Sequence, residues 1–325
     1  MTDLTELARR VREHPGLLAK RDLRHVAATI GGDGDDAAVI NIVDQYAGAL
    51  AAEAIRPELI AADPRVAGIA GVVTVLNDIA ATGARPMALL DTVVGSDEVV
   101  RGVLEGIRLA ADLYRVPVMG GHTTVREGSP GLSTFAVGWT GRPLRAANAR
   151  PGDPVCLVAC LEGELVAGPD GTAFFSHLRG PRRASAAADL ALLAEAAETG
   201  EAWAARDVSM PGIAGSLLQL LESAGAIGCA LDVDALPVPP GVALGDWMTA
   251  FPSYAFLLCG DPRALEQRFG STGLACRQVG VLDDSRALRL RSGSTEVTVW
   301  DLRDEPLAGL RADDSTESAR SDRDR

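Results

Sequence analysis

The sequence contains few aromatic residues, few histidines and only one lysine. Aromatic residues account for 4% of its 325 positions, against a hydrophobic fraction of 47%, so a folded core must be mainly aliphatic. The four histidines are widely separated, which disfavours a zinc cluster. Lys20 is the only lysine among 31 lysine and arginine residues. Its compact ammonium makes it a candidate phosphate contact, and chance retention is the alternative explanation.

Paired cysteine motifs and long uncharged stretches are also absent from the sequence. The five cysteines lie in or beside apolar runs without a Cys-x-x-Cys spacing, which predicts buried free thiols. No uncharged run of about 18 residues and no basic-then-apolar N-terminal pattern occur, so we expect a cytoplasmic protein without a membrane partner. The net charge of −13 argues against a nucleic-acid partner.

The stretch from Asp63 to Pro86 is typical of a buried helix that carries one acid. Asp63 and Pro64 form an N-terminal cap and first turn, and Gly83 with Pro86 ends the helix. Apolar residues recur at spacings of three and four on one face, whereas another face is small and polar and contains Asp78. A buried carboxylate needs a cation or several donors, which makes Asp78 a candidate site residue. A hydrogen bond to a neighbouring loop is the alternative.

A glycine-rich segment with three acids precedes the first predicted strand. Its glycines, including Gly34, allow tight turns and close approach to a ligand. Asp33, Asp35 and Asp36 place three carboxylates within four residues, and these repel one another unless a divalent cation lies between them. The segment is therefore either a metal-binding loop or a solvated turn.

A second glycine motif follows a short apolar strand in residues 116–124. It consists of Gly120, Gly121, His122 and Thr123. Backbone without side chains can approach a nucleotide closely, and the imidazole and hydroxyl can donate to phosphate. A structural role for the lone histidine is the alternative.

An acid and a hydroxyl precede a predicted helix in the second half of the chain. Asp207 and Ser209 lie just before Pro211, where the helix is expected to start. The free N–H groups of a helix N-terminus favour an anion. An ordinary helix cap is the alternative.

Predicted strands alternate with predicted helices, which indicates an α/β or α+β layer packing. A turn-rich stretch divides the chain into an N-terminal domain over residues 1–145 and a C-terminal domain over residues 146–303. Residues 304–325 are highly charged and are predicted to form a disordered tail. In the second domain we expect a loop near residues 163–180 and a last strand at residues 274–282.

Four of these segments together resemble the aminoimidazole ribonucleotide (AIR) synthetase-related superfamily. They are Gly-Asp-Asp-Ala-Ala-Val at 34–39, Asn-Asp-Ile-Ala-Ala-Thr-Gly-Ala-Arg-Pro at 77–86, Gly-Gly-His-Thr at 120–123 and Asp-Val-Ser-Met-Pro-Gly-Ile-Ala-Gly-Ser at 207–216. Their order and spacing match the superfamily over most of the chain. Its members include thiamine-monophosphate kinase and selenophosphate synthetase, and the chain looks most like the branch known only as AIR synthetase-related.

The resemblance implies a two-domain α+β fold of the PurM-like type, in which the N-terminal domain pairs with a second copy to form a β-barrel with flanking helices. It also implies ATP and Mg²⁺ in the cleft. The residues that match nucleotide-binding positions are Gly34, Asp35, Asp36, Asn77, Asp78, Gly120, Gly121, His122 and Thr123. Those that match metal positions are Asp35, Asp36, Asp78, Asp207 and, in a looser alignment, Glu53. The implied catalytic residues are Asp207, Ser209 and Lys20.

Departures from individual members limit the expected substrate. Met210 replaces an acid, and His122 an aspartate, that thiamine-monophosphate kinases usually have. No cysteine precedes Cys156, which argues against selenophosphate chemistry. We therefore expect Mg-ATP-dependent phosphoryl transfer to, or phosphate activation of, an unidentified small molecule by a homodimer. A catalytically silent nucleotide-binding sensor or partner subunit is the alternative.

Overall fold

The computed structural model describes residues 3–32, 34–43, 46–168 and 172–310, without the side chains of residues 42 and 43. The α-helices are α1 (Leu4–Arg12), α2 (Pro15–Leu18), α3 (Leu23–Thr29), α4 (Pro57–Ala62), α5 (Pro64–Ala81), α6 (Asp97–Tyr114), α7 (Ala186–Glu198), α8 (Gly212–Ser223), α9 (Leu244–Thr249) and α10 (Pro262–Gly270). The strands are β1 (Ala38–Val43), β2 (Tyr46–Ile55), β3 (Arg85–Gly95), β4 (Val118–Val125), β5 (Gly131–Thr140), β6 (Pro154–Ala159), β7 (Glu164–Ala167), β8 (Ala173–Ser176), β9 (Ala202–Asp207), β10 (Gly228–Asp232), β11 (Phe251–Pro252), β12 (Ala255–Gly260), β13 (Ala275–Asp283), β14 (Ala287–Ser292) and β15 (Thr295–Asp301).

The N-terminal half forms a five-stranded sheet with the order β1-β2-β5-β3-β4. Only the β3–β4 pair is parallel; the other pairs are antiparallel. Helices α5 and α6 pack on one face, as expected for an α+β fold. The sheet is open within the described chain, so the β-barrel implied by the resemblance is not closed by one copy.

Helix α5 has the predicted ends and is buried around Asp78, as predicted. The Asp63 carboxylate accepts the Val66 N–H at 3.0 Å, and Gly83 ends the helix with φ of +71°. The structure buries every face of α5 from residue 71 to residue 81, because sheet, α6, α7 and β9 surround it. Its length and apolar composition match those of a membrane span, but 72% of it is buried inside the protein, as in a core helix.

The C-terminal half forms a seven-stranded sheet with the order β15-β14-β10-β13-β6-β12-β9. The last strand predicted from the sequence is therefore not the last, since the β14–β15 hairpin follows it. The segment predicted as a loop near residues 163–180 contains β7 and β8, which join β11 in a three-stranded sheet. The hydrophobic core that packs against the first sheet includes side chains from both halves of the chain, among them Val158 and Phe256. All five cysteines are free and buried, which confirms that prediction.

Residues 304–310, predicted as the start of a disordered tail, are instead packed against the protein, and we call them the C-terminal strap. Leu307 is fully buried. The buried Glu222 carboxylate accepts the N–H groups of Leu307 and Ala308 at 2.8 Å each and that of Gly309 at 3.2 Å. These partners are distant in sequence, which is why composition alone predicted disorder. Residues 311–325 lie outside the described residues.

Candidate functional site

Three acids from separate elements converge at one place. Asp36 precedes β1, Asp78 lies on α5 and Asp207 is the last residue of β9. One carboxylate oxygen of each lies within 4.8 Å of those of the other two. This three-acid cluster opens into a cavity of about 300 Å³ that residues of both halves line. The structure therefore brings these three predicted site residues together at one cavity.

Burial and mutual repulsion make the three-acid cluster electrostatically costly without a cation. Loss of solvation, followed by the charge of Asp207, raises the pKa of Asp78 well above its ordinary value. Loss of solvation, followed by the charge of Asp36, does the same to the pKa of Asp207. Burial also raises the pKa of Glu53, although its hydrogen bond with Asp78 opposes that rise. Grouped carboxylate oxygens are the hard ligands that Mg²⁺ prefers, so the cluster fits this ion.

One buried arginine fixes the position of Asp36. Arg206 Nη2 forms an ion pair with Asp36 Oδ1 at 2.9 Å, and its Nη1 donates to the Gly34 carbonyl at 2.8 Å. The second Asp36 oxygen accepts the backbone N–H of Asp207 at 3.0 Å. Sequence reasoning missed Arg206. Its signal was a charged residue near the end of an otherwise apolar strand, next to the predicted Asp207.

The glycine-rich segment divides its roles between loop shape and the cluster. Gly34 has φ of +77°, and an added Cβ would lie 2.5 Å from Ser223 Oγ, so glycine is required there. Asp35 lines the cavity, but its Oδ1 accepts the Ala146 N–H at 2.9 Å and it is not a member of the three-acid cluster. Asp33 lies outside the described residues.

Other predicted residues lie beside the cluster or behind it. Lys20, Glu53 and Ser209 line the same cavity. Asn77 does not line it: its side chain is fully buried, and Nδ2 donates to the Ser253 carbonyl at 3.2 Å. Asn77 therefore connects α5 to the segment between β11 and β12, and its predicted nucleotide contact has no direct counterpart in the cavity.

The predicted nucleotide loop is a strand at the edge of the first sheet. Gly120, Gly121, His122 and Thr123 all belong to β4, which pairs in parallel with β3. These residues are exposed and none of them lines the cavity. His122 Nε2 lies 3.4 Å from Thr124 Oγ1. The strand that begins at Val118 continues through both glycines, and its pairing with β3 extends to Val125. The local sequence did not indicate that the glycines belong to a strand.

Several polar residues on α8 were not predicted to reach the cavity. Gln219, Glu222 and Ser223 line it together with Leu310 of the C-terminal strap. Gln219 is only 5% exposed, and its Oε1 has no hydrogen-bond partner in the described part of the chain. The available signal was their three- and four-residue spacing within an apolar helix. A buried acceptor without a donor is what a bound ligand can satisfy.

Known proteins resemble the chain in sequence and in fold. The family model of the AIR synthase related protein N-terminal domain matches residues 34–141. An uncharacterized protein of Synechocystis is 31% identical over 324 residues, which cover 95% of this chain and 99% of that protein. The thiamine-monophosphate kinase of Rhodopirellula baltica is 32% identical over 167 residues, covering 50% of this chain and 48% of the kinase. The structure of Thermotoga maritima PurL complexed with ATP has a TM-score of 0.75 at 20% identity, covering 96% of this chain and 53% of PurL.

Proposed function

Because the chain belongs to the AIR synthase-related family, we propose that it is an Mg²⁺- and ATP-dependent enzyme that transfers a phosphoryl group to a small molecule, either as product or as an activated intermediate. The observation that supports this most is the three-acid cluster, which draws Asp36, Asp78 and Asp207 together from both halves of the chain. A structural role does not explain why three carboxylates share one cavity at the cost of mutual repulsion.

Phosphoryl transfer requires mainly that the protein neutralise the charge of the phosphates and hold the acceptor in line with the bond that breaks. Asp36, Asp78 and Asp207 would hold Mg²⁺, with Glu53 beside them. The bound ion would neutralise phosphate charge. Lys20 lines the same cavity and supplies a mobile ammonium for phosphate oxygens. In this reaction an acceptor oxygen would form a bond to the γ-phosphorus as the bond from that phosphorus to the β,γ-bridging oxygen breaks. ADP would leave, and the acceptor proton would pass to a base or to solvent.

Structures of similar fold that contain bound nucleotides support the proposal that this chain binds ATP. The PurL structure contains ATP, and a ThiL structure with a TM-score of 0.62 contains AMPPCP and TMP. Both are below 25% identity, so they establish the shared fold, and the ligand of this chain remains our proposal.

We also propose that the protein is a homodimer built on the first sheet. The face of this sheet opposite α5 exposes apolar side chains, and the cross-strand pairs Leu50–Val137 and Leu90–Phe135 lie on it. A contiguous exposed apolar face is typical of a protein interface. A second copy would also lie beside the exposed residues Gly120 to Thr123 of β4. Their predicted contact with a nucleotide would then be made at the dimer interface, and it stays a prediction.

Titration calorimetry of the full chain with Mg-AMPPCP tests the proposal, followed by assays of ADP release from Mg-ATP across a panel of small hydroxyl and carboxylate acceptors. We expect binding that requires Mg²⁺ and acceptor-dependent ADP release. Binding without release from any acceptor would favour a silent sensor. Absence of binding to the dimeric protein would refute nucleotide chemistry altogether.

A further inference from the structure

Two phenylalanine side chains form part of the cavity lining, although aromatic residues make up only 4% of the chain. Phe174 on β8 and Phe251 on β11 lie opposite each other in the three-stranded sheet. Their ring centroids are 5.6 Å apart with an interplanar angle of 42°. Strand alternation explains their orientation: the next residue, Phe175, points the other way into the core and packs against Trp247.

A hydrogen-bonded connection fixes this aromatic pair relative to the three-acid cluster. Asn77, next to Asp78 on α5, donates from Nδ2 to the carbonyl of Ser253, two residues after Phe251. The Ser253 hydroxyl accepts the His177 N–H at 2.9 Å and lies 2.7 Å from His177 Nδ1. His177 follows β8, so both strands that carry the phenylalanines are held to the helix that carries Asp78.

We call the opposite end of the cavity the polar end, because Gln219, Glu222 and Ser223 of α8 line it beside Leu310 of the C-terminal strap. The N-terminus of α8 lies against the segment that leads to Phe251, since a Cβ on Gly212 would be 2.3 Å from the Met248 carbonyl. Glu222 lies ten residues further on, about 15 Å along the helix axis. It holds the C-terminal strap there, close to Gly34, whose carbonyl accepts from Ser223.

The three-acid cluster lies between these two ends. Asp78 is adjacent to Asn77, which reaches toward the aromatic pair, whereas Asp36 is two residues from Gly34 at the polar end. Gln219, whose Oε1 has no hydrogen-bond partner among the described residues, offers an acceptor within the cavity. Hydrogen-bonding groups suit the edge of a purine base, and partly exposed phenyl rings suit a planar apolar surface.

We infer that Phe174 and Phe251 bind a planar ring of the phosphoryl acceptor, so that the acceptor is a small aromatic or heteroaromatic molecule whose phosphorylated group reaches the three-acid cluster. This inference rests on the proposed function and specifies its substrate class. The nucleotide then occupies the polar end, and its phosphates meet the acceptor at the carboxylates.

The experiment uses two phosphate esters of equal charge as product-like probes, benzyl phosphate and glycerol 3-phosphate. Each is titrated into the full chain in the presence of Mg-ADP. We expect benzyl phosphate to bind at least fivefold more tightly than glycerol 3-phosphate. Phe174→Ala and Phe251→Ala should each remove this preference while changing Mg-ADP affinity by less than twofold.

Matched variants separate the ring contact from general damage. Leu165→Ala changes an exposed side chain of the same small sheet outside the cavity and should keep the preference. Phe174→Leu preserves apolar bulk and should reduce the preference even if the alanine variant does not fold.

The inference is overturned if the native chain binds Mg-ADP but shows no preference between the esters, or binds neither. It is also overturned if the phenylalanine variants weaken Mg-ADP as much as benzyl phosphate, since adenine would then occupy the aromatic pair. Failure of the native chain to bind Mg-ADP is distinct, because it removes the proposed function itself.

Discussion

Arg206 and Asp36 form a buried ion pair, with an N–O distance of 2.9 Å and side chains that are 8% and 6% exposed. Among the ion pairs of the described residues, the Arg206–Asp36 pair is the one that includes a member of the three-acid cluster. Among the described residues neither Asp78 nor Asp207 forms an ion pair, although the charges of Arg206 and Lys20 partly oppose the rise in the pKa of Asp207. Arg206 thus holds Asp36 in place beside two buried carboxyl groups whose pKa values burial raises.

Replacing Arg206 by methionine should destabilise the metal-free protein strongly, because Asp36 would remain buried without its partner. Breaking a buried pair costs about 3–5 kcal/mol. The free energy of unfolding, measured with urea in EDTA, checks this value. Arg277→Met is the control: its pair with Glu266 spans 3.6 Å between exposed side chains and should contribute about 1 kcal/mol or less. Equal effects of the two substitutions would contradict the structural role of Arg206.

The stability of the metal-free protein should fall as pH rises above the ordinary aspartate range. Desolvation raises the folded-state pKa of Asp78 and of Asp207, so the folded protein retains protons that the unfolded chain releases. This stabilising contribution is complete below the unfolded pKa, near 4, and is lost as pH rises through the folded pKa. Asp78→Asn should therefore unfold at a temperature similar to the native chain at pH 4 but at a higher temperature at pH 8 in EDTA.

Thermal unfolding at both pH values measures this difference, with about 1.4 kcal/mol expected for each unit by which the pKa of Asp78 is raised. Asp284→Asn removes an exposed carboxylate and should follow the native pH dependence. A native-like curve for Asp78→Asn would show that Asp78 is not desolvated as the structure indicates.

Local signals predicted well the parts of the molecule that depend on local interactions. The ends of α5 follow from Asp63 and Gly83, whose capping and turn preferences act over a few residues. That Asp36, Asp78 and Asp207 come together could be expected only because the order of the motifs resembles a known family. Periodicity does not encode which distant segments meet.

The features that the sequence did not predict depend on contacts between distant residues. Glu222 is buried because the C-terminal strap supplies three N–H donors, more than 80 residues away in sequence. Phe174 was expected in a loop, since its strand is only four residues long and pairs with Phe251 from another part of the chain. The glycines of β4 have weak strand preference, and pairing with β3 overrides it.

Asp78→Asn should weaken Mg-AMPPCP binding by more than tenfold, about 1.4 kcal/mol, while the fold is preserved. The amide keeps the shape of the side chain but removes its charge from the three-acid cluster. Titration calorimetry at saturating Mg²⁺ provides the measurement. Asp91→Asn is a matched control, because Asp91 is also a buried aspartate whose pKa burial raises, but it does not line the cavity. Unchanged affinity of the Asp78 variant would return Asp78 to a structural role.

Replacing Glu222 by alanine should release the C-terminal strap. The N–H groups of Leu307 and Ala308 would lose a charged acceptor in a buried position, which costs about 1–3 kcal/mol for each unsatisfied group that stays buried. Hydrogen exchange should therefore accelerate at residues 307–309 before the core is affected. Glu296→Ala, at an exposed position on β15, should leave this exchange unchanged. Equal protection in both variants would mean that other contacts hold the strap.

A charge on the open face of the first sheet should dissociate the proposed homodimer. Leu90 is 48% exposed and lies opposite Phe135, so in the dimer Leu90→Glu would bury a carboxylate among apolar side chains without a partner. Light scattering coupled to size-exclusion chromatography should give a dimer mass for the native chain and a monomer mass for the variant. Leu165→Glu places the same charge on the three-stranded sheet and should remain dimeric. A native monomer, or a Leu90→Glu variant that stays dimeric, would show that this face is not the interface, because burial of an unpaired carboxylate is incompatible with a stable apolar contact.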